Sequence, residues 1–357
     1  MVQAVVADEA GNVYFTGTFQ YTVDFDPGPA TFNLTSSGGF DVFISKFDSL
    51  GNFVWAKSFG NNTDDIAFSI ALDPSANVII TGEFQNTVDF DPSTSTYNIT
   101  AFGSYDSYIL KLNNSGNFVW VKNIGGSGWD EGKFILADNV GNLYCYGYFS
   151  ATADLDPGPG NFYVTAIGGQ NSYIVKLNSN GDFIWGKTLT GGFNRSYSLD
   201  LQQTNLFIVG EFQGTVDFNP DPSVTNNIIA SGLTDAFILK LDTIGNYTWA
   251  HKIGGTNNDY AFSVKATTSG SVLVTGSFRG TADFDPGPYN TNTVSAGNED
   301  AFIVKFDMNG NHLWSHGIGG IYYDIGKSIS LDTFENLYLA GTFTAIVDLI
   351  QAKPIIT

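Results

Sequence analysis

The chain has 357 residues, a formal net charge of −20 and an isoelectric point near 4.1. This excess of negative charge repels phosphate backbones and anionic lipid, so nucleic acid is not an expected partner. No apolar run approaches the roughly 20 residues that span a bilayer, and the first residues show no signal peptide, so no membrane insertion is expected.

The composition predicts an all-β protein. Aromatic residues make up 15% of the chain, which is too many for a disordered acidic segment. Glycine contributes 41 residues, which indicates many turns rather than long helices. Cys145 is the one cysteine, so an internal disulfide is excluded. We expect Cys145 to be a small buried residue of a strand.

Three motifs recur along the chain at intervals of about 65 residues, as a fixed repeat does in a solenoid or a propeller. The repeat tryptophans are Trp55, Trp120, Trp185, Trp249 and Trp314. A G-x-F triplet begins at Gly17, Gly82, Gly147, Gly210, Gly276 and Gly341. The run TVDFDP, with small variations, has its first aspartate at Asp24, Asp89, Asp154, Asp217, Asp283 and Asp348.

Each repeat contains four short segments rich in β-branched and aromatic residues, which we expect to be strands. In the second repeat they are 67–73, 77–84, 107–113 and 117–123. Short glycine-containing links make the four strands an antiparallel meander. Because both faces of each sheet are apolar, each sheet needs a neighbour on both sides. Radial stacking meets this need and predicts a β-propeller of four-stranded antiparallel blades.

The repeat DxFIxKxDxxGNxxWxKxxGGxxxDxxxSIxxDxxGNxYxxGxF resembles the bacterial β-propeller repeat family called SBBP. The order of its strands is also similar to that of NHL-type propeller blades. The resemblance covers essentially the whole chain. It implies a propeller within a secreted or cell-surface bacterial protein, and it implies no defined activity.

We predict one β-propeller domain over residues 1–357. The approximate blade limits are 1–60, 61–125, 126–190, 191–254, 255–319 and 320–357. The sixth repeat holds only the first two strands, so the prediction is five complete blades plus a half sixth with an exposed edge. We therefore expect the intact protein to continue beyond residue 357.

The fourth repeat departs from the pattern. LQQTNLF replaces the D-x-x-G-N turn, and Arg195 stands near a position that is aspartate in other repeats. This blade is expected to deviate from the others.

The predicted core holds the repeat tryptophans and the phenylalanine of each G-x-F triplet. A lysine also recurs in the third strand of each repeat, at Lys46, Lys111, Lys176, Lys240 and Lys305. We expect these lysines to form structural ion pairs or to pack their apolar stems.

Aspartates recur just before the first strand of four repeats, at Asp65, Asp130, Asp259 and Asp324. If the first strand is innermost, these side chains ring the mouth of the central channel and bind a cation or a cationic group. In the alternative interpretation, each aspartate accepts backbone N–H bonds within its own loop.

The TVDFDP runs place two aspartates in each of several loops. These pairs are Asp24 and Asp26, Asp89 and Asp91, Asp154 and Asp156, and Asp283 and Asp285. Clustered carboxylates make calcium the candidate cofactor of these loops. The alternative is an Asx-capped turn whose alternating phenylalanine packs into the blade.

The sequence presents no catalytic constellation. His251, His312 and His316 occupy repeat positions at which other copies have lysine or phenylalanine, and repetition spreads the carboxylates evenly over the blades. The long loops, with TVDFDP and GGxxxD, are predicted to lie on one acidic face.

We therefore expect a non-catalytic scaffold or binding module of a secreted or cell-surface bacterial protein. Its acidic, loop-rich face is expected to bind a protein or a carbohydrate, and further parts of its own parent chain are expected as partners. The candidate contact aromatics are Trp129, Tyr289, Tyr322 and Tyr323. The alternative is a propeller hydrolase or lyase acting at the channel mouth, which requires two carboxylates with raised pKa values in one pocket.

Overall fold

The computed structural model describes residues 1–287, 289 and 291–346, and Asp348 and the end of the predicted sixth blade lie outside this range. The described residues form strands joined by turns, with no helix among them. They cluster into two compact units, residues 1–188 and residues from Leu189 onward, which are described separately. The division falls within two residues of a predicted blade limit.

The first unit contains three repeats, each with four long strands and two short ones. The first repeat has β1 Val2–Ala7, β2 Val13–Phe19, β3 Thr22–Asp24, β4 Asn33–Thr35, β5 Asp41–Phe47 and β6 Phe53–Phe59. The second has β7 Ile66–Leu72, β8 Val78–Phe84, β9 Thr87–Asp89, β10 Asn98–Thr100, β11 Asp106–Leu112 and β12 Phe118–Gly126. The third has β13 Glu131–Ala137, β14 Leu143–Phe149, β15 Thr152–Asp154, β16 Tyr163–Thr165, β17 Asn171–Leu177 and β18 Phe183–Thr188.

The second unit repeats the same order. It begins with β19 Thr190–Gly191, β20 Asn194–Gln202, β21 Asn205–Phe212, β22 Thr215–Asp217, β23 Asn227–Ile229, β24 Asp235–Asp242 and β25 Tyr247–Gly255. It continues with β26 Asp259–Ala266, β27 Ser271–Phe278, β28 Thr281–Asp283, β29 Asn292–Val294, β30 Asp300–Asp307 and β31 His312–Ile318. The last described strands are β32 Ile325–Leu331 and β33 Leu337–Thr342.

In both units the long strands of one repeat form an antiparallel meander. The orders are β1-β2-β5-β6, β7-β8-β11-β12 and β13-β14-β17-β18 in the first unit, and β20-β21-β24-β25, β26-β27-β30-β31 and β32-β33 in the second. The four strands predicted for the second repeat are β7, β8, β11 and β12. The first strands of successive repeats contact one another, β1 with β7 and β7 with β13, and β20 with β26 and β26 with β32.

A short β-hairpin, here called the insert hairpin, lies between the second and third long strands of each complete repeat. The insert hairpins are β3-β4, β9-β10, β15-β16, β22-β23 and β28-β29. The sequence analysis treated these segments as loops. Three of them pair with the end of the preceding repeat, as β12 with β15, β19 with β22 and β25 with β28. Close approach explains a glycine here, because a Cβ atom at Gly126 would lie 1.9 Å from the carbonyl oxygen of Thr152.

The D-x-x-G-N turns are built by the aspartate side chain. In the turn between β5 and β6, Oδ1 of Asp48 accepts the N–H groups of Leu50 and Asn52 at 2.9 and 2.8 Å, and Oδ2 accepts the Asn52 amide at 2.8 Å. Gly51 takes a φ of 82°. Between the first two long strands of the fourth repeat this motif is missing, as the sequence indicated, and β20 and β21 join through a tighter turn in which Gln203 has a φ of 55°.

The repeat lysine and the repeat tryptophan both donate hydrogen bonds to the next repeat. Lys46 and Trp55 are cross-strand neighbours, and the Trp55 indole N–H donates to the Asn114 carbonyl at 3.1 Å. Lys240 and Trp249 likewise both donate to the Met308 carbonyl, at 2.8 and 3.1 Å. Lys111 forms the predicted ion pair, at 2.8 Å from Asp73. The repeat lysine and tryptophan therefore hold the turn of the following repeat rather than forming an acid–base site.

The phenylalanine of the G-x-F triplet is buried in the five complete repeats, as predicted, whereas Phe343 of the sixth triplet is 64% exposed. In several repeats it lies in a three-residue cluster with the phenylalanine of TVDFDP and an aromatic residue of the third long strand. In the second repeat the ring centroids of Phe84, Phe90 and Tyr108 are 5.1 to 6.3 Å apart. The same cluster recurs as Phe212, Phe218 and Phe237, and as Phe278, Phe284 and Phe302.

The expectation that all repeat tryptophans are buried is only partly met. Trp249 is 9% exposed, whereas Trp55, Trp120, Trp185 and Trp314 are half-buried. Cys145 is fully buried, as predicted.

Candidate functional site

Each predicted calcium loop is the tip of an insert hairpin, and its aspartates cap the turn. In the second repeat, Oδ1 of Asp89 accepts the N–H groups of Asp91 and Tyr97 at 3.1 and 2.8 Å, and Oδ1 of Asp91 accepts that of Ser93 at 2.9 Å. The same bonds are made by Asp24 and Asp26, Asp154 and Asp156, and Asp283 and Asp285. This is the geometry of the Asx-turn alternative.

Insert hairpins line two clefts at equivalent places in the repeat. A cleft of 420 Å³ in the first unit is lined by Asp154, Asp156, Asn161 and Tyr163 of one hairpin and by the end of β12. A cleft of 380 Å³ in the second unit is lined by Asp283, Asp285 and the Pro-Gly turn of another hairpin, together with His251 and Lys252. Within the described ranges, no three His, Cys, Asp or Glu side chains converge as a metal site.

The four aspartates predicted to ring a channel mouth are buried rather than open to water. Asp65, Asp130, Asp259 and Asp324 are at most 2% exposed. Oδ2 of each accepts the backbone N–H of the residue four positions earlier at 2.7 Å. Oδ1 of Asp65, Asp259 and Asp324 also accepts an N–H that follows the second strand, at 3.0 to 3.3 Å. These hydrogen bonds match the alternative interpretation, in which each aspartate accepts backbone N–H groups. One of the two donor N–H groups, however, lies outside the aspartate's own loop.

Burial changes the protonation of three of these side chains. Removal from water, and in second place the charge of neighbouring carboxylates, raises the pKa of Asp65, Asp130 and Asp259 to about 7. Hydrogen bonds from backbone N–H groups act in the opposite direction and do not outweigh burial. These carboxyls therefore titrate near neutral pH.

A second series of buried aspartates was not predicted from the sequence. Asp41, Asp106, Asp235 and Asp300 begin the third long strand of four repeats and are at most 4% exposed. Burial raises the pKa of each. The sequence shows these residues as the aspartate of the D-x-F-I-x-K motif. It does not show that each of them lies beside an aspartate of the Asp65 series in the next repeat.

A charged cluster interrupts the symmetry of the first unit. Glu83 of β8 and Glu131 of β13 are buried, and the Trp129 indole N–H donates to Glu83 at 2.7 Å. Desolvation, followed by the charge of Glu131, raises the pKa of Glu83 to about 7. Lys133 forms an ion pair with Glu131 and lies 3.4 Å from the centre of the Phe68 ring. Glu211 and Lys327 are the equivalents of Glu83 and Lys133 in other repeats, whereas Glu131 has no acidic equivalent.

The predicted contact aromatics are accessible. Trp129, Tyr289, Tyr322 and Tyr323 are 43% to 77% exposed, and Trp129 also packs on Tyr105, with ring centroids 5.4 Å apart. The histidines are not arranged for catalysis: His251 stacks on Trp249 at 4.7 Å, and burial lowers the pKa of His251 and His312. Among the described residues, no helix is long and apolar enough to cross a membrane.

Repeated antiparallel sheets, apolar on both faces and joined in sequence order, fit the β-propeller class of repeat protein. The chain is similar to the uncharacterized WD repeat-containing protein L264 of Acanthamoeba polyphaga mimivirus, with 24% identity over 424 residues that cover 96% of this chain and 30% of the viral protein. It is also similar to the regulatory protein FlaEY of Caulobacter vibrioides, with 28% identity over 155 residues that cover 43% of this chain and 15% of that protein. The chain thus spans less than a third of either relative, and no family model matches it.

Proposed function

We propose that the chain is a non-catalytic β-propeller module that binds a carbohydrate or a protein through its insert hairpins. The observation that carries this proposal is the pair of equivalent clefts, of 420 and 380 Å³, that the hairpins line. Clefts of this size accommodate small ligands. In the larger one, the exposed ring of Tyr163 lies beside Asn161 and the carboxylates of Asp154 and Asp156, a combination of stacking surface and polar groups that suits a sugar.

The architecture proposed for this function is five complete four-stranded blades plus a sixth represented by β32 and β33. The proposed family is the SBBP type, supported by the repeat motif, and the proposed location is the cell surface or the extracellular space. Further parts of the parent chain are proposed partners. The similarity to a WD repeat-containing protein supports the propeller part of this proposal.

Protein binding is favoured by a different set of side chains. Phe102, Ile167 and Leu233 follow insert hairpins in three repeats and are 58% to 73% exposed. Exposed apolar residues that recur at the rim of an acidic surface are typical of a protein contact. The hydrolase or lyase alternative is supported only by Glu83 beside Glu131, and both carboxylates there are already engaged, by Trp129 and Lys133.

Binding to a panel of immobilised oligosaccharides tests the carbohydrate form of the proposal. We expect Tyr163→Ala to weaken binding about tenfold, equivalent to about 1.4 kcal/mol, because the variant removes the stacking surface of the cleft. Tyr21→Ala is the matched control, since Tyr21 is 79% exposed and does not line either cleft. Equal weakening by both variants, or binding to no oligosaccharide, would contradict a sugar site in this cleft.

Calcium at the insert hairpins is a separate proposal with its own test. Each hairpin supplies two carboxylates whose Oδ1 atoms already accept backbone N–H groups, so a bound ion would use the remaining Oδ2 atoms and backbone carbonyls. If calcium binds, about 1 mM should raise the melting temperature, and the combined variant Asp154→Asn and Asp156→Asn should reduce the rise. An unchanged melting temperature favours the Asx turn alone.

A further inference from the structure

The two series of buried aspartates form pairs at the junctions between repeats. The pairs are Asp41 with Asp65, Asp106 with Asp130, Asp235 with Asp259, and Asp300 with Asp324. In each, the N–H of the second aspartate donates to the carbonyl of the residue just before the first, at 2.7 to 2.9 Å. In each pair the charge of one carboxylate raises the pKa of the other.

A glycine at the end of the fourth long strand lies directly against one carboxyl group of each pair. A Cβ atom at Gly60 would lie 2.5 Å from Cγ of Asp41, and one at Gly125 would lie 2.6 Å from Cγ of Asp106. Gly319 makes the same approach to Asp300, at 2.3 Å. No side chain or solvent layer can therefore separate the carboxylates from this strand.

The bonds available do not satisfy two ionised carboxylates. Oδ1 of Asp41, Asp235 and Asp300 is buried and has no hydrogen-bond partner in the described part of the chain. A buried unpartnered carboxylate oxygen beside a second carboxylate is costly when both are ionised. A proton on one of the two carboxyl groups removes one of the two buried charges.

The sequence carries asparagine at both positions in one pair of successive repeats. At the positions equivalent to Asp106 and Asp130, the next repeats have Asn171 and Asn194, and the residue equivalent to the glycine is Thr190. Asparagine has the shape of a protonated aspartate and carries no charge. Replacement at both positions is expected if the pair works in a form with reduced charge, and it is not expected of a cation site, which would lose both anionic ligands.

We propose that each of the four aspartate pairs binds one proton on its two carboxyl groups taken together, and that loss of this proton weakens the junction between successive repeats. The pairs thereby act as proton-binding sites that respond between mildly acidic and mildly alkaline pH. This inference does not depend on the ligand of the insert hairpins.

Other titratable groups near the pairs are few. Asp64, Tyr105 and Tyr108 adjoin the first pair, and Tyr173 adjoins the second. Lys252, Glu299 and Tyr260 adjoin the third, with Lys252 3.8 Å from Asp235. Only Lys252 supplies positive charge to a pair in the described residues, and Asn123 occupies the equivalent position beside Asp106.

Carbon-13 NMR of aspartate carboxyl groups in the full chain tests the proton directly. We expect a subset of Asp Cγ signals to titrate above about pH 6, well above the usual value near 4. Single variants Asp65→Asn and Asp130→Asn should each remove one signal from this subset. If every aspartate of the wild-type chain titrates below about pH 5, the proposal is wrong, whatever the variants do.

The dependence of stability on pH is the second measurement. A carboxyl whose pKa is higher in the folded chain stabilises fully below its unfolded pKa, and this contribution is lost as pH rises through the folded value near 7. The denaturation midpoint should therefore fall between about pH 5.5 and about pH 8. The buried histidines oppose this trend equally in all variants, so variants are compared with one another.

A variant with the four changes Asp65→Asn, Asp130→Asn, Asp259→Asn and Asp324→Asn should lose at least half of this fall. The matched control carries the same change in charge on the insert hairpins, at Asp26, Asp91, Asp156 and Asp285, and should retain the full fall. An equal loss in both would assign the pH effect to net charge and overturn the proposal. If the fourfold variant does not fold, the NMR titrations of the two single variants test the proposal instead.

Discussion

Phe84→Ala is expected to lower the free energy of unfolding by about 3–5 kcal/mol, the usual cost of removing a buried phenylalanine ring. The side chain is fully buried and lies in the three-residue aromatic cluster with Phe90 and Tyr108. Loss of the ring leaves a cavity against two neighbours that the strands hold in place, so collapse around it is limited. Chemical denaturation followed by tryptophan fluorescence measures the change.

Phe102→Ala is the control for this substitution. Phe102 belongs to the same repeat but is 73% exposed, so its loss should change the free energy of unfolding by no more than about 0.5 kcal/mol. A cost below about 1 kcal/mol for Phe84→Ala would show that the G-x-F phenylalanine does not anchor the sheet. The conservative variant Phe84→Leu should lie between the two.

The repeat made the long strands readable from sequence. The regular spacing of G-x-F and of the tryptophan motif predicted strands over 77–84 and 117–123, and the structure has them at β8 and β12. The insert hairpins were not predicted as strands. Their strands are three residues each, and three of the five hairpins also pair with a neighbouring repeat, so local propensity carries little of the signal.

The candidate site was less accessible to sequence reasoning. Asp65 and its equivalents were recognised as a series, but the carboxylate of Asp41, whose charge acts on Asp65, lies in the preceding repeat. Periodicity shows that residues are equivalent and does not show which two series meet. The presence of asparagine at both equivalent positions, Asn171 and Asn194, was the available signal, and it becomes informative only when the two aspartate series are known to meet in the other repeats.

The sequence also did not show why the first position of the G-x-F triplet is always glycine. Glycines in turns were expected to serve positive φ angles, yet the turns between first and second strands tolerate Ala76, Gln203 and Glu335 at φ values of 55° to 62°. Gly82, by contrast, is absent from the positive-φ residues, and all six repeats have glycine at its position. Backbone conformation therefore does not explain why this position is always glycine, and close packing does.

Gly82→Ala is expected to destabilise the chain by about 2–3 kcal/mol, the upper range for a group forced into a packed site. A Cβ atom at this position would lie 1.8 Å from the carbonyl oxygen of Ile66, at the irregular pairing of β7 with β8. The oxygen belongs to the backbone, so it can move only if the two strands separate locally.

Gly51→Ala supplies the comparison that separates packing from backbone strain. Gly51 has a φ of 82° but open space around its Cβ position, so its replacement should cost only the left-handed penalty of about 1–2 kcal/mol. Gly51→Asn should cost less still, because asparagine adopts this conformation more readily. If Gly82→Ala proved no more costly than Gly51→Ala in denaturant titrations, the constant glycine of the repeat would owe nothing to the contact between the first two strands.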